Sequence, residues 1–138
     1  MNVAIVASRF NEEITGELLK RARAEAKKLG VEVTVIEVPG ALEIPIALQW
    51  LTQGARRYDA LVALGAVIRG DTYHFEVVCN ESARGVSEVA LESGVPVANA
   101  ILTTNDEAQA KARLDKGAEG VRVAVEMAKL KASIHEVR

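Results

Sequence analysis

At 138 residues the chain is long enough for one domain with a real core and short for two, so a single domain over residues 1–138 is expected. Its 17 basic and 19 acidic side chains give a net charge of -2 with no basic block, which argues against a sequence-independent grip on nucleic acid. No apolar run approaches the roughly 20 residues of a membrane span, and the N-terminus enters an apolar strand with no signal-peptide layout, so a cytoplasmic protein is expected.

The first apolar run, Val3 to Ala7, reads as a strand. A helix follows from near Asn11 to Gly30, with Glu12 and Glu13 at its positive end, Lys27 and Lys28 at its negative end, and an inward stripe of Ile14, Leu18, Ala22, Ala26 and Leu29. A second strand, Val31 to Val38, leads through PGALE (Pro39 to Glu43) into a second helix that runs to about Gly54. The third apolar run, Tyr58 to Ile68, meets a Gly70-Asp71 turn, and a long helix then extends from Thr72, its expected cap, to about Ser93. Val95 to Leu102 is the fourth strand, and Asn105 is the expected cap of a short fourth helix. Lys116 to Gly120 leads into a last helix with Val123, Met127, Leu130 and Ile134 on one face. Near-continuous apolar strands alternating with helices predict an α/β fold, a parallel sheet covered on both faces. In such a sheet the reactive edge lies at the carboxyl ends of the strands. The turns that qualify are SRFN (Ser8 to Asn11), PGALE, IRGDTYH (Ile68 to His74) and LTTND (Leu102 to Asp106).

Among them, GAVIRGDTYHFE, Gly65 to Glu76, is the most informative segment. A helix opening after the Gly-Asp turn leaves its first amides unpaired, and those N–H groups, with Arg69 beside them, suit a phosphate or carboxylate. His74 stands next to that anion cradle; because imidazole accepts and returns protons near neutral pH, it is the candidate catalytic residue. Phe10, between the first strand and the first helix, either stacks on a flat ligand or acts as a hydrophobic staple on the helix it precedes. Glu43 is either a helix-dipole carboxylate or an acid facing a ligand, and the Pro39-Gly40 pair before it favours the second, since glycine lets backbone approach a ligand closely. His135 lies on a polar stretch near the C-terminus and is expected to be solvated. The single cysteine, Cys79, permits neither an internal disulfide nor a cysteine zinc cluster and reads as a small packing residue. No metal site is expected, because His74 and Glu76 point in different directions from a helix. The glycine fingerprints of dinucleotide and P-loop sites are absent.

Read in order, SRFN, VPGALEIPIAL, ALGAVIRGDTYHFEVVCNESARGV and ILTTNDEAQAKAR closely resemble the bacterial 6,7-dimethyl-8-ribityllumazine synthases, over nearly the whole chain. The resemblance implies a flavodoxin-like three-layer α/β/α sandwich with a four-stranded parallel sheet. It implies condensation of 5-amino-6-(D-ribitylamino)uracil with 3,4-dihydroxy-2-butanone 4-phosphate, giving the lumazine, phosphate and water in riboflavin biosynthesis. No cofactor is implied, and the substrate's own amine forms the imine, so no lysine nucleophile is needed. Position by position, Phe10 would stack on the pyrimidine, Ala41, Leu42 and Glu43 would line the pyrimidine and ribityl pocket, and Ala66, Val67 and Ile68 match the strand end whose backbone contacts the ring. Asp71 and Thr72 match the turn that holds the butanone phosphate, His74 the proton-transfer residue, and Arg113 a phosphate-binding arginine supplied by a neighbouring subunit.

Two departures stand out. Asn99, in VANAILTT, replaces a phenylalanine that many members have, keeping a backbone contact but losing the ring's apolar wall. After Arg113 an insertion is missing, and Lys116 takes the place of the lysine near the phosphate. The implied partners are the two small-molecule substrates and further copies of the chain, with no nucleic acid or membrane. Relatives form pentamers, some of them packed into decamers or 60-subunit shells, and the sequence leaves that choice open beyond a pentamer. A flavin carrier, an archaeal-type riboflavin synthase and a purely structural shell subunit are the competing readings.

Overall fold

Four strands order the chain in a computed structural model that describes residues 1–136. They are β1 (Asn2–Ser8), β2 (Glu32–Val38), β3 (Ala60–Ile68) and β4 (Val97–Thr104). Between and after them lie α1 (Glu12–Leu29), a 3-10 turn (Ala41–Glu43), α2 (Ile44–Gln53), α3 (His74–Ser93), α4 (Glu107–Lys111) and α5 (Lys116–Glu136). All pairs are parallel and the order across the sheet is β2-β1-β3-β4. β1 and β3 are the central strands, which is why their runs VAIVA and ALVALGA carry no charged residue: both faces are covered.

Alternation assigns each residue to a layer. Val3, Ile5 and Ala7 of β1, with Val62 and Leu64 of β3, pack under Leu18, Ala22, Val121 and Ala124 of α1 and α5. Ala4, Val6, Leu61 and Ala63 face the other way, onto Ile44 and Leu48 of α2 and Val86 and Val89 of α3. The result is the flavodoxin-like α/β/α sandwich. No helix among the described residues is long and apolar enough to cross a membrane.

α1 forms as its charge pattern demands, with Gly30 closing it in a left-handed conformation (φ 73°) and donating its N–H to Ala26 and Lys27. Leu29, however, is 42% exposed: it lies in the last turn, past the cover of the sheet. In α5, Val123, Met127, Leu130 and Ile134 do share a face, and that face is outward; the buried stripe is Val121, Ala124, Val125 and Ala128. The cause is a close approach. A Cβ on Gly117 would sit 2.1 Å from the carbonyl oxygen of Leu18, and one on Gly120 would sit 2.9 Å from Cβ of Ala100. Where the helices come this near the sheet and each other, at Gly117 and Gly120, an added carbon has no room, and the face that carries these glycines turns inward while the larger side chains go outside.

Two caps differ from expectation. α3 starts at His74 with Tyr73 in the N-cap position, and the Thr72 hydroxyl accepts from the His74 N–H at 3.4 Å from one residue farther out. α4 is capped by Asp106, which accepts from the Gln109 N–H at 2.8 Å, leaving Asn105 for another partner.

Candidate active site

The chain leaves β1 through α1 toward β2 and leaves β2 through α2 toward β3, so the order reverses between β1 and β3. At the carboxyl ends of those strands the connections diverge and open a crevice. A cleft of about 430 Å³ occupies it, lined by Phe10, Ala41, Leu42, Glu43, Ala66, Val67, Ile68, Thr72 and His74. Residues singled out in three separate turns are thus brought to one place. Phe75 and Val78 also line it and were missed. The signal was available, since Phe75 follows His74 and Val78 lies one helical turn beyond it.

The loops at the mouth are tied together. Arg9 and Phe10 donate their N–H groups to the carbonyls of Val38 and Pro39, at 2.9 and 3.1 Å. Asn11 adopts the left-handed conformation (φ 62°) and donates Nδ2 to the carbonyl of Ala66 at 2.8 Å. An asparagine tolerates that backbone, and the bond to β3 holds it there. The turn throws Phe10 outward, 71% exposed, so the ring is not a staple on α1. Glu43 closes the 3-10 turn, exposed, and a Cβ on Gly40 would meet its Oε1 at 3.2 Å. The open side of Gly40 is therefore shared with the chain's own acid.

Past Ile68 the amides of Asp71 and Thr72 have no backbone partner among the described residues, and the His74 imidazole is exposed at the cleft wall. Asp71 itself is exposed and is not among the residues that line the cleft. Arg69 is not the free cation expected for the cradle. Its NH1 lies 2.5 Å from Oε1 of Glu76, its Nε 2.9 Å from Oδ1 of Asn105, and its guanidinium 4.4 Å from the centre of the Phe75 ring. The hydrogen bond from Arg69 holds the Glu76 carboxyl below the ordinary glutamate range, helped by a backbone hydrogen bond and opposed by partial desolvation. The sign follows: a depressed folded-state value means that the contact stabilises above the ordinary range and is lost as pH falls through the depressed value. An NMR titration of the Glu76 side-chain carboxyl is expected to show a midpoint below that of free glutamate, and Arg69→Met is expected to return it upward.

The remaining candidates lie elsewhere. Asn99, Arg113 and Lys116 line a separate trough of about 790 Å³ along the β4 edge, with Asn80, Ser82 and Thr103. The Arg113 guanidinium donates to the Gln109 carbonyl at 2.9 Å, Lys116 pairs with Glu119 at 3.2 Å, and Asn99 Oδ1 accepts from the Ile101 N–H at 2.9 Å. α3 is the wall between the two cavities: Phe75 and Val78 face the cleft, whereas Cys79 and Ser82 face the trough. Cys79 is half-buried, and desolvation first, then the charge of Glu76, pushes its thiol up, as suits a packing residue rather than a nucleophile. His135 is exposed.

The chain is similar to known proteins over almost its whole length. The family model described as 6,7-dimethyl-8-ribityllumazine synthase matches residues 1–132. A 6,7-dimethyl-8-ribityllumazine synthase of Nitrosomonas europaea is 55% identical over 98% of this chain and 84% of its own length. Proteins of the same name from Nitrosospira multiformis (52% identical, 99% of this chain, 88% of its own) and Cupriavidus necator (51%, 100% and 85%) are similar throughout. With a family match over almost its entire length and relatives at half identity or better, the chain belongs to the 6,7-dimethyl-8-ribityllumazine synthase family.

Proposed function

We propose that the cleft between the ends of β1 and β3 is one half of a lumazine synthase active site, and that the trough on the β4 edge is the other half, offered to a second copy of the chain. The protein is an enzyme of riboflavin biosynthesis that joins 5-amino-6-(D-ribitylamino)uracil to 3,4-dihydroxy-2-butanone 4-phosphate and releases phosphate and water. The observation that carries the site assignment is the gathering of Phe10, Ala41 to Glu43, Ala66 to Ile68, Thr72 and His74 around one cleft at the switch point.

In this reading Phe10 stacks on the pyrimidine, the strand-end backbone at Ala66 to Ile68 fixes its edge, and Glu43 reaches the ribityl chain. The amides of Asp71 and Thr72 receive the butanone phosphate, and His74, one turn of chain away, moves protons as phosphate leaves and the ring closes. The missing positive charge comes from Arg113 and Lys116 of a neighbour, beside Asn99, because within one chain α3 separates them from the cleft. Apolar side chains left outside support such an assembly: Trp50 is 64% exposed next to Ile46 on α2, and Met127, Leu130 and Ile134 form a row on α5. A pentamer in the cytoplasm is the smallest arrangement in keeping with this reading.

The test is to mix purified protein with both substrates and follow the lumazine chromophore and released phosphate together. Equal accumulation of both, above an enzyme-free control, is expected; neither rising in a folded oligomer would reject the reading. For His74→Ala, kcat is expected to fall by roughly tenfold to a hundredfold with both KM values largely kept. Unchanged kcat would remove His74 as the proton carrier.

A further inference from the structure

We propose that Arg69 is a positioning residue that locks together the two half-sites carried by one chain. The proposal rests on the reading above, in which the cleft and Arg113 serve the same reaction. It goes beyond that reading by assigning a task to a cation outside the residues that line the cleft and the trough. Arg69 leaves the end of β3 and is held at its own backbone, where its N–H donates to the Thr104 carbonyl at 2.9 Å.

From there its side chain reaches both ways. Toward the cleft, the guanidinium covers the Phe75 ring at 4.4 Å and pairs with Glu76 at 2.5 Å, so it braces the first turn of α3, where His74 stands and Phe75 walls the cleft. Toward the trough, Nε donates to Asn105 Oδ1 at 2.9 Å, and the Asn105 N–H donates to Gln109 Oε1 at 2.8 Å. The Gln109 carbonyl in turn accepts from Arg113 NH1 at 2.9 Å. An unbroken run of contacts therefore joins the His74 helix to the guanidinium assigned to the phosphate.

The geometry uses features that only arginine supplies: a planar face for the ring, and separate N–H groups directed at a carboxylate and an amide. Lysine would keep the charge and lose the plane and the fork. With Nε engaged by Asn105, NH1 by Glu76 and its plane over the Phe75 ring, Arg69 is placed to act on the substrates through those neighbours.

The test compares Arg69→Met, Arg69→Lys and Asn105→Ala in the assembled enzyme. Arg69→Met is expected to raise KM for both substrates by roughly three- to tenfold, the scale of one lost hydrogen-bonded tie, with kcat less affected. Arg69→Lys is expected not to rescue it. Asn105→Ala, which cuts only the trough side, is expected to raise KM for the butanone phosphate alone. In a double-mutant cycle, adding Arg69→Met to Arg113→Ala is expected to leave the butanone phosphate KM no worse than Arg113→Ala does by itself.

Hydrogen–deuterium exchange reads the same tie without substrate, so it separates failure of the proposal from failure of the assigned reaction. Arg69→Met is expected to speed exchange both in the first turn of α3 and across 105–113, and Asn105→Ala only across 105–113. Should Arg69→Met fail to fold, Asn105→Ala and its cycle with Arg113→Ala carry the test. Wild-type exchange in both segments of the variants, unchanged KM values, or additive effects in the cycle would overturn the proposal.

Discussion

Replacing Arg113 with alanine is expected to raise KM for the butanone phosphate by about 10- to 100-fold, the scale of charge-assisted hydrogen bonds, while KM for the pyrimidine stays near its wild-type value. The guanidinium is exposed on the wall of the trough, and among the described residues NH1 alone is engaged, by the Gln109 carbonyl, so the rest of its fork is available to a phosphate. Arg113→Lys is expected to recover only part of the loss, since an ammonium offers a point charge without the paired donors. Initial rates with each substrate varied in turn decide it. Equal effects on both KM values would mean that Arg113 acts on assembly rather than on the phosphate.

The largest effect on stability is expected at Gly117. Adding one methyl there sets a carbon 2.1 Å from the Leu18 carbonyl oxygen, a backbone atom that cannot rotate away. Relief requires α5 to lift off α1, which would open the seam packed by Leu18, Ala22, Val121 and Ala124. Gly117→Ala is therefore expected to cost about 2–4 kcal/mol, on the order of 10 °C in melting temperature. Gly16 supplies the control. It lies in α1 with no atom within 4 Å of an added Cβ, so Gly16→Ala is expected to stabilise by about 0.5–1 kcal/mol. Thermal and denaturant unfolding of both variants check the contrast; a neutral Gly117→Ala would mean that the two helices slide freely.

Most of the architecture was legible because the core follows one rule. Near-continuous apolar runs alternating with helices point to parallel strands covered on both faces, and the turns after parallel strands meet at one edge of the sheet. The gathering of Phe10, Glu43 and His74 around one cleft was legible for the same reason, as each lies in or just after the connection that follows a strand. What was hidden depended on distances across the fold. Asn105 looked like a helix cap from its neighbours, but Arg69, distant in sequence, claims its side chain, and Asp106 caps α4 instead. Arg69 looked like part of an anion cradle until Phe75 and Glu76 were seen to hold it. The outward face of α5 was equally opaque, because helical spacing shows that Met127, Leu130 and Ile134 align but not which way they point. Only the tight seam at Gly117 and Gly120 decides that.

α3 stands as a partition between a cleft and a trough that share no lining residue. One consequence is genetic rather than structural. In the proposed assembly, where each site joins the cleft of one chain to the trough of the next, lesions in cleft and trough carried on different chains can be sorted into different sites, so the two defects should complement in trans. If His74→Ala and Arg113→Ala proteins are unfolded and refolded together in equal amounts, random mixing around a ring of unlike patches leaves about one site in four with an intact half from each parent. Such a mixture should outperform either parent alone, whereas the same two substitutions placed on a single chain, assembled without a healthy partner, should leave nothing to rescue.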